Sequence, residues 1–339
     1  MSQRYVLVGF LLAAVACGGG NGGGGDDEPG VDAAPDAPGP GCTAMSPRTT
    51  PPETFVGPTG LQQRLTTLID GAQTSIDLQM YLFTMRPIAD RLVAAKNRGV
   101  AVRVLLDPDH EGNANVRPTL MNGGVPTRNM SSIYSFAHAK FMIIDGARGV
   151  IMSANLNFDA MDTERNYGMI TRDADDVADL EAVFDLDWAT AGGQTPQPVD
   201  LSCTRLIVSP TNSKTRLLEL INSAKDTLEV EVMYLSEMSI REAIGAAKMR
   251  GVNVRVILSE RSDESVPYLR GLGIPVKFAT GFYLHSKLLI ADDVVFVGSE
   301  NMSLTSLTKN REVGALVFEP AAAQVITTQF ETDWSSAAQ

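Results

Sequence analysis

Histidine is scarce in this chain. Its 339 residues include three histidines, three cysteines and two tryptophans. So few imidazoles and thiols leave no closed soft-ligand metal site apparent, so no metal or other cofactor is expected. Bases are also in short supply, with 28 Lys plus Arg against 40 Asp plus Glu and a net charge of −12. Five of the acids fall between residues 18 and 41, and one base, Arg4, precedes them. Without these, residues 42–339 still carry −8. Polynucleotide affinity rests on neutralising phosphates with Lys and Arg, so general nucleic-acid binding is not expected. A small local basic pocket stays open. Finally, no stretch reaches the roughly 18 apolar residues of a membrane-spanning helix.

The longest apolar run, Tyr5 to Cys17, follows Arg4 and ends in Ala14-Val15-Ala16, which reads as a secretory signal over residues 1–17. The "AVAC" ending resembles a bacterial lipoprotein signal, with Cys17 as the lipidated residue; Ala14 stands where Leu is usual. Ordinary cleavage after Ala16 is the alternative. Either way the chain is expected to be exported, and either secreted or lipid-anchored to the cell envelope. Residues 18–50 are rich in Gly, Asp and Pro at their start, a composition that gives a flexible tether without a core. In an oxidising compartment Cys42 and Cys203 can close a disulfide, and two unpaired thiols are the alternative.

The whole chain is 44% hydrophobic, and its remainder is arranged as a duplication. "GVAVRVLLD" from Gly99 matches "GVNVRVILS" from Gly251. Each is preceded by a helical pattern, "IADRLVAAKNR" and "REAIGAAKMR", and before that by an alternating strand pattern, "IDLQMYL" and "LEVEVMYL". Both copies close on an F-x-x-D-W segment, Phe184 to Trp188 and Phe330 to Trp334. Helix–strand alternation predicts an α/β fold in which each copy has a mainly parallel mixed β-sheet flanked by helices. The copies, residues 51–192 and 201–339, are expected to be related by a pseudo-twofold axis. The turn-rich stretch from Ala191 to Asp200 separates them, and the whole reads as a monomer with an internal pseudo-dimer.

Two of the three histidines recur at equivalent places, in "HAKFMIID" and "HSKLLIAD". Both are His-x-Lys-x4-Asp: His138, Lys140 and Asp145, then His285, Lys287 and Asp292. On a strand, alternate residues share a face, so each His and Lys point together while each Asp falls at the strand's end. A second pair of motifs follows. "SANLN" supplies Ser153 and Asn155, and "GSEN" supplies Ser299 and Asn301. Eleven residues beyond each Asn lies a polar position, Asn166 in the first copy and Glu312 in the second. The third histidine, His110, reads as a loop residue or as part of a pocket rim. Tyr134, Phe136, Phe282 and Tyr283 precede the two motifs as a lipid-facing lip or as strand packing.

These motifs resemble those of the phospholipase D superfamily, over nearly all of residues 55–335. The resemblance implies one composite site in which one His attacks phosphorus, forming a phosphohistidine, and the other protonates the leaving alcohol and then activates water. It implies that Lys140, Lys287, Asn155 and Asn301 hold the phosphoryl oxygens, that no metal takes part, and that an acidic residue of each copy supports the His of the other. Glu312 would then support His138, making His138 the nucleophile and leaving Asn166 facing His285, the general acid/base. Asp145, Asp292, Ser153 and Ser299 would be structural supports. Asn166, and Met152 where the pattern has Gly, depart from the family. The function implied is a phosphoric diester hydrolase releasing glycerophospholipid head groups at a membrane surface. The alternatives are head-group transfer of the cardiolipin synthase kind, an exported nuclease, or a surface binding protein with a spent site.

Overall fold

The computed structural model describes residues 42–339. The leader, Cys17 and most of the tether lie outside the described residues. The first copy runs β1 (Glu53–Gly57), α1 (Leu61–Gly71), β2 (Ser75–Met80), α2 (Arg86–Asn97), β3 (Ala101–Leu106), α3 (Arg117–Asn122), β4 (Thr127–Asn129), β5 (Lys140–Ile144), β6 (Arg148–Met152), α4 (Phe158–Asp162), β7 (Glu164–Thr171) and α5 (Ala174–Ala191). The second runs β8 (Leu206–Ser209), α6 (Ser213–Ser223), β9 (Thr227–Val232), α7 (Met238–Met249), β10 (Asn253–Leu258), α8 (Val266–Gly271), β11 (Val276–Phe278), β12 (Tyr283–Leu284), β13 (Lys287–Ala291), β14 (Val294–Gly298), α9 (Leu304–Thr308), β15 (Glu312–Val317) and α10 (Pro320–Ser336).

Each copy builds a mixed sheet flanked by helices, ordered β1-β7-β6-β5-β2-β3-β4 in the first and β11-β10-β9-β13-β14-β15-β8 in the second. The helical crossovers α2 and α7 join parallel neighbours, β2 to β3 and β9 to β10, as a crossover demands. The motif strands join antiparallel: β5 lies between β2 and β6, and β13 lies between β9 and β14. Central placement explains why "KFMII" and "KLLIA" are buried at every residue.

Alternate residues of the motif strands serve different cores. Met142 and Ile144 pack under α1 and α2, where Leu61, Leu65 and Ile69 form the inward stripe of an amphipathic helix. Phe141 and Ile143 instead join Leu288, Ile290, Val313 and Val317 of the second copy in a shared middle core. The two sheets therefore pack on one another through β14 and β15 against β5, β6 and β7. The closing helices α5 and α10 also pack in this layer. The F-x-x-D-W segments explain themselves there: Phe184 stacks with Trp188 and Phe330 with Trp334, and Arg103 and Arg255 cover the two ring pairs.

The described start of the chain is held down. Cys42 and Cys203 form a disulfide with Cα atoms 5.6 Å apart. Beneath it the fully buried Arg205 pairs with Glu319 and Asp176, at 3.1 and 3.3 Å, while Arg48 donates to the same Asp176 at 2.7 Å. Four charges that neutralise one another in pairs are tolerable where a single one would not be. They fix residues 42–50, the C-terminal edge of the segment read as a tether, against both copies.

Candidate active site

Backbone pairing across the two copies places the histidines. The short strand β12 runs parallel to the start of β7, Tyr283 opposite Glu164 and Leu284 opposite Arg165. Its twin contact is a bridge between Ala137 and Arg311. As a result the His138 N–H donates to the Arg311 carbonyl at 2.8 Å, and the His285 N–H donates to the Arg165 carbonyl at 3.2 Å. Each histidine is thus threaded onto the opposite copy, one residue from that copy's polar position.

His138 Nδ1 lies 2.7 Å from Glu312 Oε2. Glu312 is fully buried and also accepts from Ser299 Oγ at 2.7 Å, Ser306 Oγ at 2.6 Å and Asn310 Nδ2 at 2.9 Å. Burial alone would raise this carboxyl; His138, Lys140 and its donors outweigh that and hold it below the usual carboxylate range. A carboxylate on Nδ1 fixes the tautomer and leaves Nε2 free with a lone pair. His285 Nδ1 instead meets the Asn166 amide oxygen at 3.0 Å, which also accepts from Ser153 Oγ at 2.8 Å. Burial, followed by Lys287, Lys140 and His138, takes His285 well below the ordinary imidazole value. Burial also lowers His138, against the pull of Glu312.

Sequence reasoning missed Glu164. Its carboxylate accepts from Asn166 Nδ2 at 3.2 Å and comes within 3.5 Å of His285 Nδ1. The signal was present: "ERN" at 164–166 reads in reverse as "NRE" at 310–312. His285 therefore has a carboxylate behind its amide, where His138 has an amide behind its carboxylate.

Lys140 and Lys287 are fully buried and each ammonium donates to the carbonyl of its own histidine, Lys287 at 2.7 Å. Burial brings both down to about 7, with Glu312 opposing that shift most. Lys140 also stands over the Tyr81 ring at 4.9 Å. The buried Oδ1 atoms of Asn155 and Asn301 have no partner among the described residues, so these amides are not spent on the scaffold. Two imidazoles, two ammoniums and two amides can together meet the charge and geometry of a transferring phosphoryl group. No cluster of three or more His, Cys, Asp or Glu among the described residues is placed to hold a metal.

Asp145 and Asp292 stand at the far ends of their strands, on the order of 20 Å from the histidines at the rise of a strand. Both adopt left-handed backbone, φ 57° and 51°, in the turns that follow β5 and β13. Their carboxylates accept three backbone N–H groups each, from residues 73–75 and 225–227. They tie the turn to the start of the neighbouring strand and touch no reacting group. Met152 is explained by a coupled exchange. A Cβ at Gly298 would lie 2.3 Å from Glu300 Oε2, and the equivalents of Gly298 and Glu300 are Met152 and Ala154. The same Cβ would meet the Gly314 Cα at 2.6 Å and the Phe296 ring at 2.8 Å, so Ala154 in place of Glu300 and Val150 in place of Phe296 relieve two of the three contacts.

His110 is half-buried and packs edge-on against Tyr81 at 4.8 Å, while the other flank of Tyr81 meets His138 at 4.6 Å. The lip residues divide. Phe136 and Tyr283 are exposed at the rim; Tyr134 bonds to Arg311, and Phe282 lies under Arg165.

With this geometry in view, the comparisons with known proteins are direct. A family model described as "Cardiolipin synthase, PLD-like domain" matches residues 65–188 and 217–334. The chain belongs to this family of the phospholipase D superfamily. Its relatives include the "Probable cardiolipin synthase YwiE" of Bacillus subtilis, 26% identical over 307 residues, covering 77% of this chain and 61% of that protein. A Listeria monocytogenes cardiolipin synthase is 24% identical over 317 residues, covering 78% and 65%. This chain thus spans less than two thirds of the length of either relative. Among solved structures, Haemophilus influenzae phosphatidylserine synthase shares the fold of this family member at a TM-score of 0.63 and 13% identity, covering 86% of each chain. A polyphosphate kinase from Porphyromonas gingivalis shares it at 0.64 and 17% identity, over 84% of this chain and 50% of that one.

Proposed function

We propose that this protein is a phosphatidyl transferase of the cardiolipin synthase kind, moving a phosphatidyl group from one alcohol to another through a phosphohistidine. The hydrolytic reading suggested by the motifs alone gives way to the transfer alternative, because the relatives carry the name of a synthase. The observation that carries the chemistry is the pair of complete His–Lys–Asn sets threaded onto each other across the pseudo-twofold axis.

In the first half-reaction His138 Nε2 forms a bond to phosphorus as the bond to the head-group oxygen breaks. Glu312 balances the charge that builds on the ring. His285 gives its proton to the departing alkoxide. A bound phosphodiester anion opposes the lysine charges that depress His285, so substrate itself favours the protonated ring needed for this step. In the second half-reaction an acceptor alcohol loses its proton to His285 and attacks phosphorus, and His138 departs as the neutral imidazole. Lys140, Lys287, Asn155 and Asn301 hold the equatorial oxygens throughout. Water as acceptor gives hydrolysis by the same steps.

The −8 charge of residues 42–339 supports a lipid over a polynucleotide donor. The apolar run ending at Cys17 supports an exported, lipid-anchored or secreted enzyme working at a membrane surface. None of the described helices is long and apolar enough to cross one. One assay tests the reading. Purified protein with EDTA is offered phosphatidylglycerol, phosphatidylcholine, cardiolipin and single-stranded DNA in parallel. Cardiolipin and glycerol should form from phosphatidylglycerol. Phosphatidic acid as the sole lipid product would replace transfer with hydrolysis, and cleavage of DNA alone would overturn the lipid reading.

A further inference from the structure

An apolar cavity lies outside the catalytic residues, between α5, the linker joining the two copies, and the end of β8. It measures about 610 Å³ and its apolar lining includes Val183, Leu186, Val199, Leu201 and Pro210. Its inner wall is Tyr134 and Arg311. Arg311 is the residue whose carbonyl receives the His138 N–H at 2.8 Å. One residue's thickness therefore separates the cavity from the proposed nucleophile. At the mouth, Ile133 is 68% exposed, and Phe136 is 43% exposed in the same loop, which leads directly into His138.

The pseudo-twofold axis supplies a control. Val183, Leu186 and Thr190 on α5 correspond to Gln329, Thr332 and Ser336 on α10, counted from the shared F-x-x-D-W segments. Both helices keep the buried Asp that pairs with an arginine, Asp187 with Arg311 at 2.7 Å and Asp333 with Arg165 at 2.7 Å. Scaffolding thus works equally well with a polar face at these positions. The α10 surface around Thr332 and Ser336 is lined by Thr, Ser and Glu. Of these two hollows, the one on the side of the proposed nucleophile is the one lined by Val, Leu and Pro side chains.

We infer that this cavity receives part of one acyl chain of the phosphatidyl donor, beginning near the glycerol ester. The inference rests on the proposed lipid donor and adds the subsite that recognises its tail. Its volume lies within the range of about 300–1,000 Å³ usual for specific ligand sites. Each methylene moved from water into such a site is worth roughly fourfold in binding. Leaving-group departure lies on the axis through His138, phosphorus and the head-group oxygen, so the glyceride must leave that axis sideways, and Arg311, which holds the His138 backbone, is a lining residue of this hollow.

The test uses the full chain and three variants, Leu186→Trp to fill the cavity, Leu186→Ser to make it polar, and Thr332→Trp as the control on α10. Each is assayed on bis(p-nitrophenyl) phosphate, which has no acyl chain, and on phosphatidylglycerols with four-carbon and eight-carbon chains. The wild type should prefer the longer chains, and both Leu186 variants should lose that preference by about tenfold or more while turning over the chromogenic diester at the wild-type rate. Thr332→Trp should leave the preference intact. An unchanged preference in both Leu186 variants, or an equal loss in Thr332→Trp, overturns the acyl-chain site. Turnover of the chromogenic diester with none of either phosphatidylglycerol would instead overturn the lipid donor itself, and the subsite with it.

Discussion

The two halves of the active site use the same parts in opposite order. Around His138 the carboxylate of Glu312 makes the direct contact and the Asn310 amide stands behind it. Around His285 the Asn166 amide makes the direct contact and Glu164 stands behind. His285 is buried and His138 largely so, both face a serine-supported acceptor, and both lie two residues before the lysine that begins the motif strand. The exchange of one Glu and one Asn over three residues thus turns a near-symmetric pair into an unequal one. A full carboxylate stabilises the lasting positive charge of a phosphohistidine, whereas an amide leaves its imidazole free to gain and lose a proton within each cycle. Duplication supplies the geometry, and on the proposed mechanism a two-residue difference assigns the two rings their roles.

The largest effect should come from removing either ring. His138→Ala and His285→Ala should each lower kcat by at least about a thousandfold with the fold intact, and the double variant should be little worse, because the pair acts as a unit. Substantial activity in either single variant would show that each copy works alone. Acid quenching with a slow diester should then find the phosphoryl adduct on the peptide containing His138. An adduct on His285 would reverse the assigned roles.

The carboxylates should differ in rank. Glu312→Gln should cost about a hundredfold or more in kcat, since it removes the counter-ion and the tautomer lock together. Glu164→Gln, acting through Asn166, should cost about tenfold or less. Equal losses would mean that the inversion of "ERN" and "NRE" carries no functional weight. Asn166→Asp should raise the pKa of His285 and shift the pH–rate profile without moving the adduct.

Titration of the lysines gives a smaller, graded effect. Both are brought down to about 7 in the free protein. The charge that holds phosphate is present below that value and lost above it, so kcat/KM should fall by about tenfold per pH unit for each lysine lost on the alkaline side. Lys140→Arg, which stays charged, should move that limb upward in whatever activity it retains. A limb unmoved in Lys140→Arg would assign it to another group. The smallest catalytic effect belongs to the bridge at the chain's start. Cys42→Ser should lower stability by about 2–4 kcal/mol, read as a drop in Tm, with kcat unchanged, because the bridge fastens residues 42–50 and not the site.

Much of this was legible in the sequence. Period-two alternation and the F-x-x-D-W closures marked the duplication, because a repeated fold needs its buried positions repeated in kind. His-x-Lys spacing suggested one strand for both side chains, whereas β5 and β13 begin at the lysines and each histidine sits in the segment just before, held by a backbone hydrogen bond to the opposite copy. Glu164 escaped notice because it lies two residues before the position that the motif singles out, and a residue that acts through another leaves no spacing rule of its own. Gly298 and Glu300 likewise appear unrelated to Met152 and Ala154 until the Glu300 carboxylate is seen 2.3 Å from where the glycine's Cβ would be, with the Gly314 Cα and the Phe296 ring also close.

What the sequence determined by itself is the inventory: two copies, two His–Lys–Asn sets, one direct carboxylate and one direct amide. These are local facts, set by residue type and strand period. Tertiary structure decided which set serves which partner. The parallel pairing of β12 with β7 and the bridge from Ala137 to Arg311 join segments more than a hundred residues apart, and no local pattern encodes such a contact. The same packing set an apolar face of α5 beside the inter-copy linker, so that a cavity opens against Arg311 on the side of His138. A hollow of that kind belongs to no single element, because its volume is what three packed segments leave unfilled.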